Sequence, residues 1–220
     1  MHTLRGILFL LLAVCLGVKA QNSEIVKDTT KQNSDSNQNI ETEFREFQLK
    51  KGKFYAGINF GVGLGFRSNS NSFQNTTALV EVYFAPRVGY FVYNRCLVGL
   101  NSEITTTVAS FDYKTDYYLL STTTGIFGRY YLKNGFFADA EYGLGKGTQG
   151  YLDGKTTRIE NGFSASRVSV GIGAGSFWLK RVAFEILLKY SYVHAEADKN
   201  DLVELNSFRI VAGVGIAIGK

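Results

Sequence analysis

The residues able to do acid–base or nucleophilic chemistry are few and scattered. His194 stands two residues before Glu196, so an imidazole and a carboxylate could share one face of a strand. A hydrolytic site would also need a nucleophile within hydrogen-bond reach, and no Ser, Thr or Cys stands within two residues of either. Cys96 has only Arg95 as a local activator and no neighbouring His, so it is expected to be an inert strand residue rather than a reactive thiol. No His, Cys, Asp or Glu cluster has metal-ligand spacing. The glycines alternate with apolar residues instead of opening a helix beneath a phosphate. No catalytic, cofactor-binding or metal-ligating residue is assigned.

What is patterned is charge. Glu81, Glu103, Asp139, Glu141 and Glu185, with Arg87, Arg129, Arg167, Lys189 and Arg209, all fall on the parity opposite the apolar residues of their segments, the parity that is Gly-rich in most of them. The elements that position them alternate with period two. From Phe54 to Phe66 one parity carries Phe, Ala, Ile, Val and Leu, and the other carries Tyr, Asn and glycines. The same pattern recurs at about 78–91, 96–108, 117–132, 136–147, 164–178, 182–194 and 205–219, which predicts an all-β chain of eight antiparallel strands. Strands this long are unusual in globular sheets and ordinary in barrels that cross hydrocarbon at a tilt.

Charge decides which face meets lipid. A basic residue at the centre of the lipid face costs about 2–4 kcal/mol, and several together would exceed a folding stability of about 5–15 kcal/mol. The ten charges are therefore expected to point into the lumen, where five acids and five bases can pair as one network. Centring the turn at Lys133-Asn134-Gly135 on Asn134 places Arg129 opposite Asp139, with Glu141 on the diagonal. A turn near Asn94 places Arg87 opposite Asn101 and within diagonal reach of Glu103. Glycines leave space for Arg and Tyr side chains in a narrow interior. Phe54, Tyr90, Phe91, Tyr93, Tyr117, Tyr130, Phe136, Phe163, Trp178 and Phe208 gather near strand ends, as interfacial girdles do.

Connections at 67–77, 109–116, 148–163 and 195–204 read as long and polar, and those at 92–95, 133–135 and 179–181 as tight. An even strand count then puts both ends of the barrel sequence on the short-turn, periplasmic side. The third long connection holds Tyr151 and Leu152, the expected residues for any surface contact. Lys114, Lys155, Arg158 and Lys199 would face lipid phosphates or solvent.

Residues 1–20, with an apolar run from Ile7 to Val18 and small or aliphatic residues before the expected cut after Ala20, read as a secretory signal. Residues 21–50 are rich in Asn, Ser, Gln and Thr and are expected to form a disordered periplasmic linker, although Phe44, Phe47 and Leu49 could let its end dock. Residues 51–220 form the expected eight-stranded outer-membrane β-barrel, an up-and-down meander. With Cys15 removed, Cys96 has no partner for an internal disulfide. The pI of about 9.1 does not imply nucleic acid, because the bases are dispersed and form no stripe interleaved with stacking aromatics. A soluble lipocalin-type barrel would reverse the two faces, and glycines on exposed strands argue against it.

Lys51-Gly52-Lys53-Phe54, Pro86-Arg87-Val88-Gly89-Tyr90-Phe91, Leu97-Val98-Gly99-Leu100, Phe127-Gly128-Arg129-Tyr130-Tyr131 and Val182-Ala183-Phe184-Glu185 resemble the outer-membrane β-barrel domain family related to the OmpA barrel and OmpX. The resemblance implies an integral protein of the bacterial outer membrane with a structural or surface-interaction role and no shared catalytic residues. Its implied partners are outer-membrane lipid and lipopolysaccharide, the barrel insertion machinery and an extracellular partner of the long loops, for a monomer. The chain departs from many such barrels in ending Ile218-Gly219-Lys220 rather than on an aromatic residue. Two alternatives accompany this reading. One is a lipid A-modifying rim enzyme, for which the His-x-Ser pattern of deacylases fails because residue 196 is Glu. The other is a narrow pore or small-ligand barrel.

Overall fold

The computed structural model describes residues 49–68, 77–111, 115–132, 134–153, 156–178, 181–197 and 202–219. The expected signal sequence, residues 1–20, and nearly all of the expected linker, residues 21–50, lie outside them. Eight strands run β1 (Phe54–Ser68), β2 (Thr77–Tyr93), β3 (Cys96–Phe111), β4 (Thr115–Tyr131), β5 (Phe136–Asp153), β6 (Thr156–Trp178), β7 (Val182–Ala197) and β8 (Leu202–Ile218). Each pairs antiparallel with the next, and β8 returns to β1, giving a closed meander barrel. Closure removes the free sheet edges through the body of the wall.

Alternation decides which way each residue points. Ile172, Ile186 and Ile210 are 69%, 67% and 64% exposed, while Arg87, Arg129, Arg167 and Arg209 are buried. Such a broad apolar exterior has no place in water and is the outer wall of a membrane-spanning barrel. The lipocalin-type arrangement is thereby excluded. Two aromatic pairs mark the exterior, Phe54–Tyr90 and Tyr190–Phe208, each with ring centroids 5.2 Å apart. Phe91 and Phe163, expected in the girdle, are instead buried, because they share the lumen parity of their strands.

Three of the four connections expected to be long are mostly strand. β3 and β4 pair as far as Phe111↔Thr115, β5 and β6 as far as Asp153↔Thr156, and β7 and β8 as far as Glu196↔Leu202. Polar residues there obscured the alternation, since no lipid face demands apolar side chains beyond the bilayer. Tyr151 and Leu152 consequently lie in β5, opposite Tyr117 and Asp116 on one side and Arg158 and Thr157 on the other.

The short-turn end is closed by the chain that leads into β1. Arg95 N–H donates to the Leu49 carbonyl at 2.6 Å, Lys51 N–H donates to Asn94 Oδ1 at 3.0 Å, and Gly52 N–H donates to the Phe91 carbonyl at 2.9 Å. Arg95 adopts a left-handed φ of 67° in this turn. The contacts set Leu49, only 5% exposed, against the lumen's apolar floor.

Candidate functional site in the lumen

Inward parity collects the charged residues between two apolar layers. The floor contains Leu49, Phe91, Leu97, Phe127, Tyr131 and Phe137, and the outer layer contains Leu79, Leu119, Phe163 and Leu205 with Ala165 and Ala195. All ten charged residues predicted to face inward are buried between them. Isolated charges could not remain ionised in such a place, so their pairing is what makes their burial tolerable.

Toward the floor, Arg129 Nε donates to Asp139 Oδ2 at 2.8 Å across the β4–β5 hairpin, where the two residues are directly opposed. Its Nη1 reaches Glu185 on the far side of the lumen, and Tyr131 donates its hydroxyl to the same carboxylate at 2.9 Å. The Arg129 guanidinium also lies 4.1 Å from the centroid of Phe137, so an aromatic face supports a planar cation. Arg87 is opposite Asn101, as the turn geometry predicts. The expected diagonal contact with Glu103 gives way to longer reaches across the lumen. Arg87 Nη1 donates to Asp139 Oδ2 at 3.1 Å and Nη2 to Glu141.

Glu141 is a hub. Besides Arg87 it accepts from Lys189 Nζ at 2.7 Å and Asn101 Nδ2 at 3.0 Å, and Arg167 lies 3.6 Å away. Glu103 is the second hub, pairing with Arg167 and accepting from Arg209 Nη1 at 2.6 Å, while Arg209 Nε donates to Glu81 at 2.7 Å. Lys189, 3.7 Å from Glu103, links the two halves. The residues outside the predicted set, Tyr55, Tyr83, Asn101 and Tyr131, sit on the same inward parity. Alternation located them, but alternation alone does not show which carboxylate each one serves.

Glycines make room for these side chains. An added Cβ on Gly57 or Gly215 would come within 2.6 Å and 2.4 Å of the Tyr55 hydroxyl. Tyr55 thus lies across the β1–β8 seam, with its hydroxyl 3.4 Å from Glu185. Gly99 opposes Gly89, and its Cβ would fall 2.1 Å from the Val88 carbonyl and 2.7 Å from the Phe127 ring.

Toward the outer end a cavity of about 20 Å³ is bounded by Glu81, Glu103, Thr107, Thr123 and Arg167 below Phe163. That is room for about one water molecule. Each of these five polar residues has a buried side-chain atom without a protein hydrogen-bond partner, which suits hydration rather than an apolar ligand. A lumen packed this way is expected to pass no steady ion current. Planar-bilayer recording of the refolded protein is expected to show no single-channel steps at modest voltages, and regular steps would require the charged layer to open.

His194 lies on β7 outside the lumen layer, with Nε2 3.4 Å from Glu196 Oε1. Cys96 is buried at the start of β3. Among the described residues no group of His, Cys, Asp and Glu could hold a metal ion.

No protein-family model and no curated protein sequence matches the chain. Solved structures do share its architecture. Neisserial surface protein A has a TM-score of 0.53 at 15% identity, covering 76% of this chain and 99% of its own. The attachment invasion locus protein Ail of Yersinia pestis has a TM-score of 0.47 at 12% identity, with 73% and 97% covered. OprG of Pseudomonas aeruginosa has a TM-score of 0.46 at 11% identity, with 78% and 98% covered. The fold of this chain is that of the small eight-stranded outer-membrane barrels.

Proposed function

We propose that this is an integral bacterial outer-membrane protein with a structural or surface-interaction role, without catalysis, anchored as a monomer by its closed barrel. The observation that carries the surface role is the projecting β5–β6 hairpin. Pairing of β6 with β7 stops at Phe163↔Ala197, whereas β6 continues back to Thr156 paired, among the described residues, with β5 alone. At about 3.3 Å per residue the hairpin stands roughly 20 Å beyond the last β6–β7 pair. Its edge offers main-chain donors and acceptors to an extended segment of a partner, and edge pairing gives affinity without a deep pocket. Tyr151 and Leu152 lie within this projection and are the side chains proposed to add selectivity.

The test replaces residues 150–159 with a two-residue Asn-Gly turn and compares cells expressing either form. The shortened barrel is expected to keep its heat-modifiable gel migration and membrane insertion, while adhesion to surfaces coated with extracellular-matrix protein falls to the vector-only level. If the intact chain confers no adhesion, the structural role alone stands. The His194–Glu196 pair is the residue of the enzymatic alternative. An altered lipid A acyl count on expression, abolished by His194→Ala, would overturn the non-catalytic reading.

A further inference from the structure

The outward wall changes character along the seam between β7 and β8. On β8 every outward residue from Ile218 to Phe208 is apolar. At about 3.3 Å per residue and a tilt of about 40° this stretch rises roughly 25 Å, the height of an apolar membrane band. The Tyr190–Phe208 ring pair closes the band. Aromatic residues at such a margin settle at the headgroup level, so the next outward residues lie among lipid headgroups.

Those residues are polar and tied across the seam. Tyr190 donates its hydroxyl to Asn206 Oδ1, and Tyr192 donates to Glu204 Oε1 at 2.9 Å. His194, opposite Glu204, holds its Nε2 3.4 Å from Glu196 Oε1. Tyr192, Glu204 and Asn206 are half-buried, so the sheet holds the ring and the acceptors together. The patch has apolar borders: the row containing Tyr192 and Asn206 continues to Val168 on β6 and to Phe66 and Ala78 on β1 and β2.

The seam is an acceptor surface. A carboxylate only accepts, and Glu196 and Glu204 each have lone pairs for further donors. The connecting residues Asp198, Lys199 and Asp201 lie outside the described ones and do not reverse this acidic sign, and Arg67 falls on the lumen parity of β1, opposite Leu205. A phosphocholine headgroup offers no donor, and an anionic headgroup is repelled by the acids. A sugar supplies several O–H donors without charge, together with a C–H face that suits a tyrosine ring. We propose that the β7–β8 rim binds the sugar headgroup of a glycolipid in the leaflet opposite the short turns. The proposal rests on the membrane-spanning reading above and adds to it a lipid class and a place.

The full chain without residues 1–20 would be refolded into phosphatidylcholine vesicles holding equal minor fractions of digalactosyl diacylglycerol, phosphatidylethanolamine and phosphatidylglycerol with matched acyl chains. Native mass spectrometry then counts the lipids retained on the barrel. The glycolipid is expected to be retained about fivefold over its share, the ratio that one net hydrogen bond confers. Glu204→Leu with Asn206→Leu should bring retention to parity, and Tyr190→Phe with Tyr192→Phe, which removes hydroxyls alone, should also lower it. Thr122→Leu with Thr124→Leu on the outward face of β4 should leave it intact. Equal retention in the wild type, enrichment that survives the first double variant, or a preference for phosphatidylethanolamine or phosphatidylglycerol overturns the proposal. A chain that takes up no lipid and stays folded in solution without detergent would instead overturn the membrane-spanning reading. Heat-modifiable migration confirms that each variant has folded.

Discussion

Glu141→Leu is expected to lower folding stability by about 3–5 kcal/mol, measured by urea titration of the vesicle-inserted barrel. Glu141 meets Arg87, Lys189 and Asn101 within a layer closed at both ends by apolar side chains. Removing its charge leaves Lys189 with Glu103, at 3.7 Å, as its remaining carboxylate among the described residues. The cost is chiefly that of a stranded buried cation, so it should shrink when the cation is removed too. Lys189→Met in the Glu141→Leu background is expected to recover part of the loss, giving a coupling energy of about 1–3 kcal/mol in the double-mutant cycle. Strict additivity, or a Glu141→Leu cost under about 1 kcal/mol, would mean that water reaches the network and screens it.

The second large effect is expected at Gly99. Its missing side chain lets Phe127 lie over the Gly89–Gly99 pair, and the Arg87 guanidinium stacks 4.9 Å from the Phe127 centroid. Gly99→Val would push against the Val88 carbonyl and the Phe127 ring together. Overpacking of this kind costs roughly 1–3 kcal/mol and more when backbone must move. The displacement would pass through Phe127 to Arg87, so Gly99→Val should also weaken the energetic coupling between Arg87 and Glu141. Gly99→Val combined with Phe127→Leu should regain a portion of the stability. If Gly99→Val folds with wild-type stability, the close approach between β2 and β3 is not a constraint.

These two sites show what alternation can and cannot reveal. Period two assigned each charged residue to the lumen because one misplaced step would turn the whole face toward lipid. The Arg129–Asp139 contact was accessible because a tight turn fixes which residues oppose each other within a hairpin. The partners of Arg87 were not, since Asp139 and Glu141 belong to β5, and only the stagger of the closed barrel brings that strand across from β2. The projecting hairpin was missed for a different reason. Above the membrane neither face must be apolar, so the sequence there loses its alternation while the backbone pairing continues. Leu49 stood out as a residue able to dock, but its seat depends on the Arg95 turn.

Tyr55 has a consequence for the order of assembly. It bridges Gly57 and Gly215 where the first strand meets the last, the contact joining residues furthest apart in the chain. Pairing between chain ends carries a large loop-closure cost and belongs late in a folding sequence. A ring that fits only after both strands have met stabilises the closed barrel with little effect on the hairpins that precede it. Tyr55→Ala should therefore act mainly by accelerating opening, leaving early hairpin formation unchanged. In that sense the aromatic side chain is a latch on the lifetime of the inserted protein.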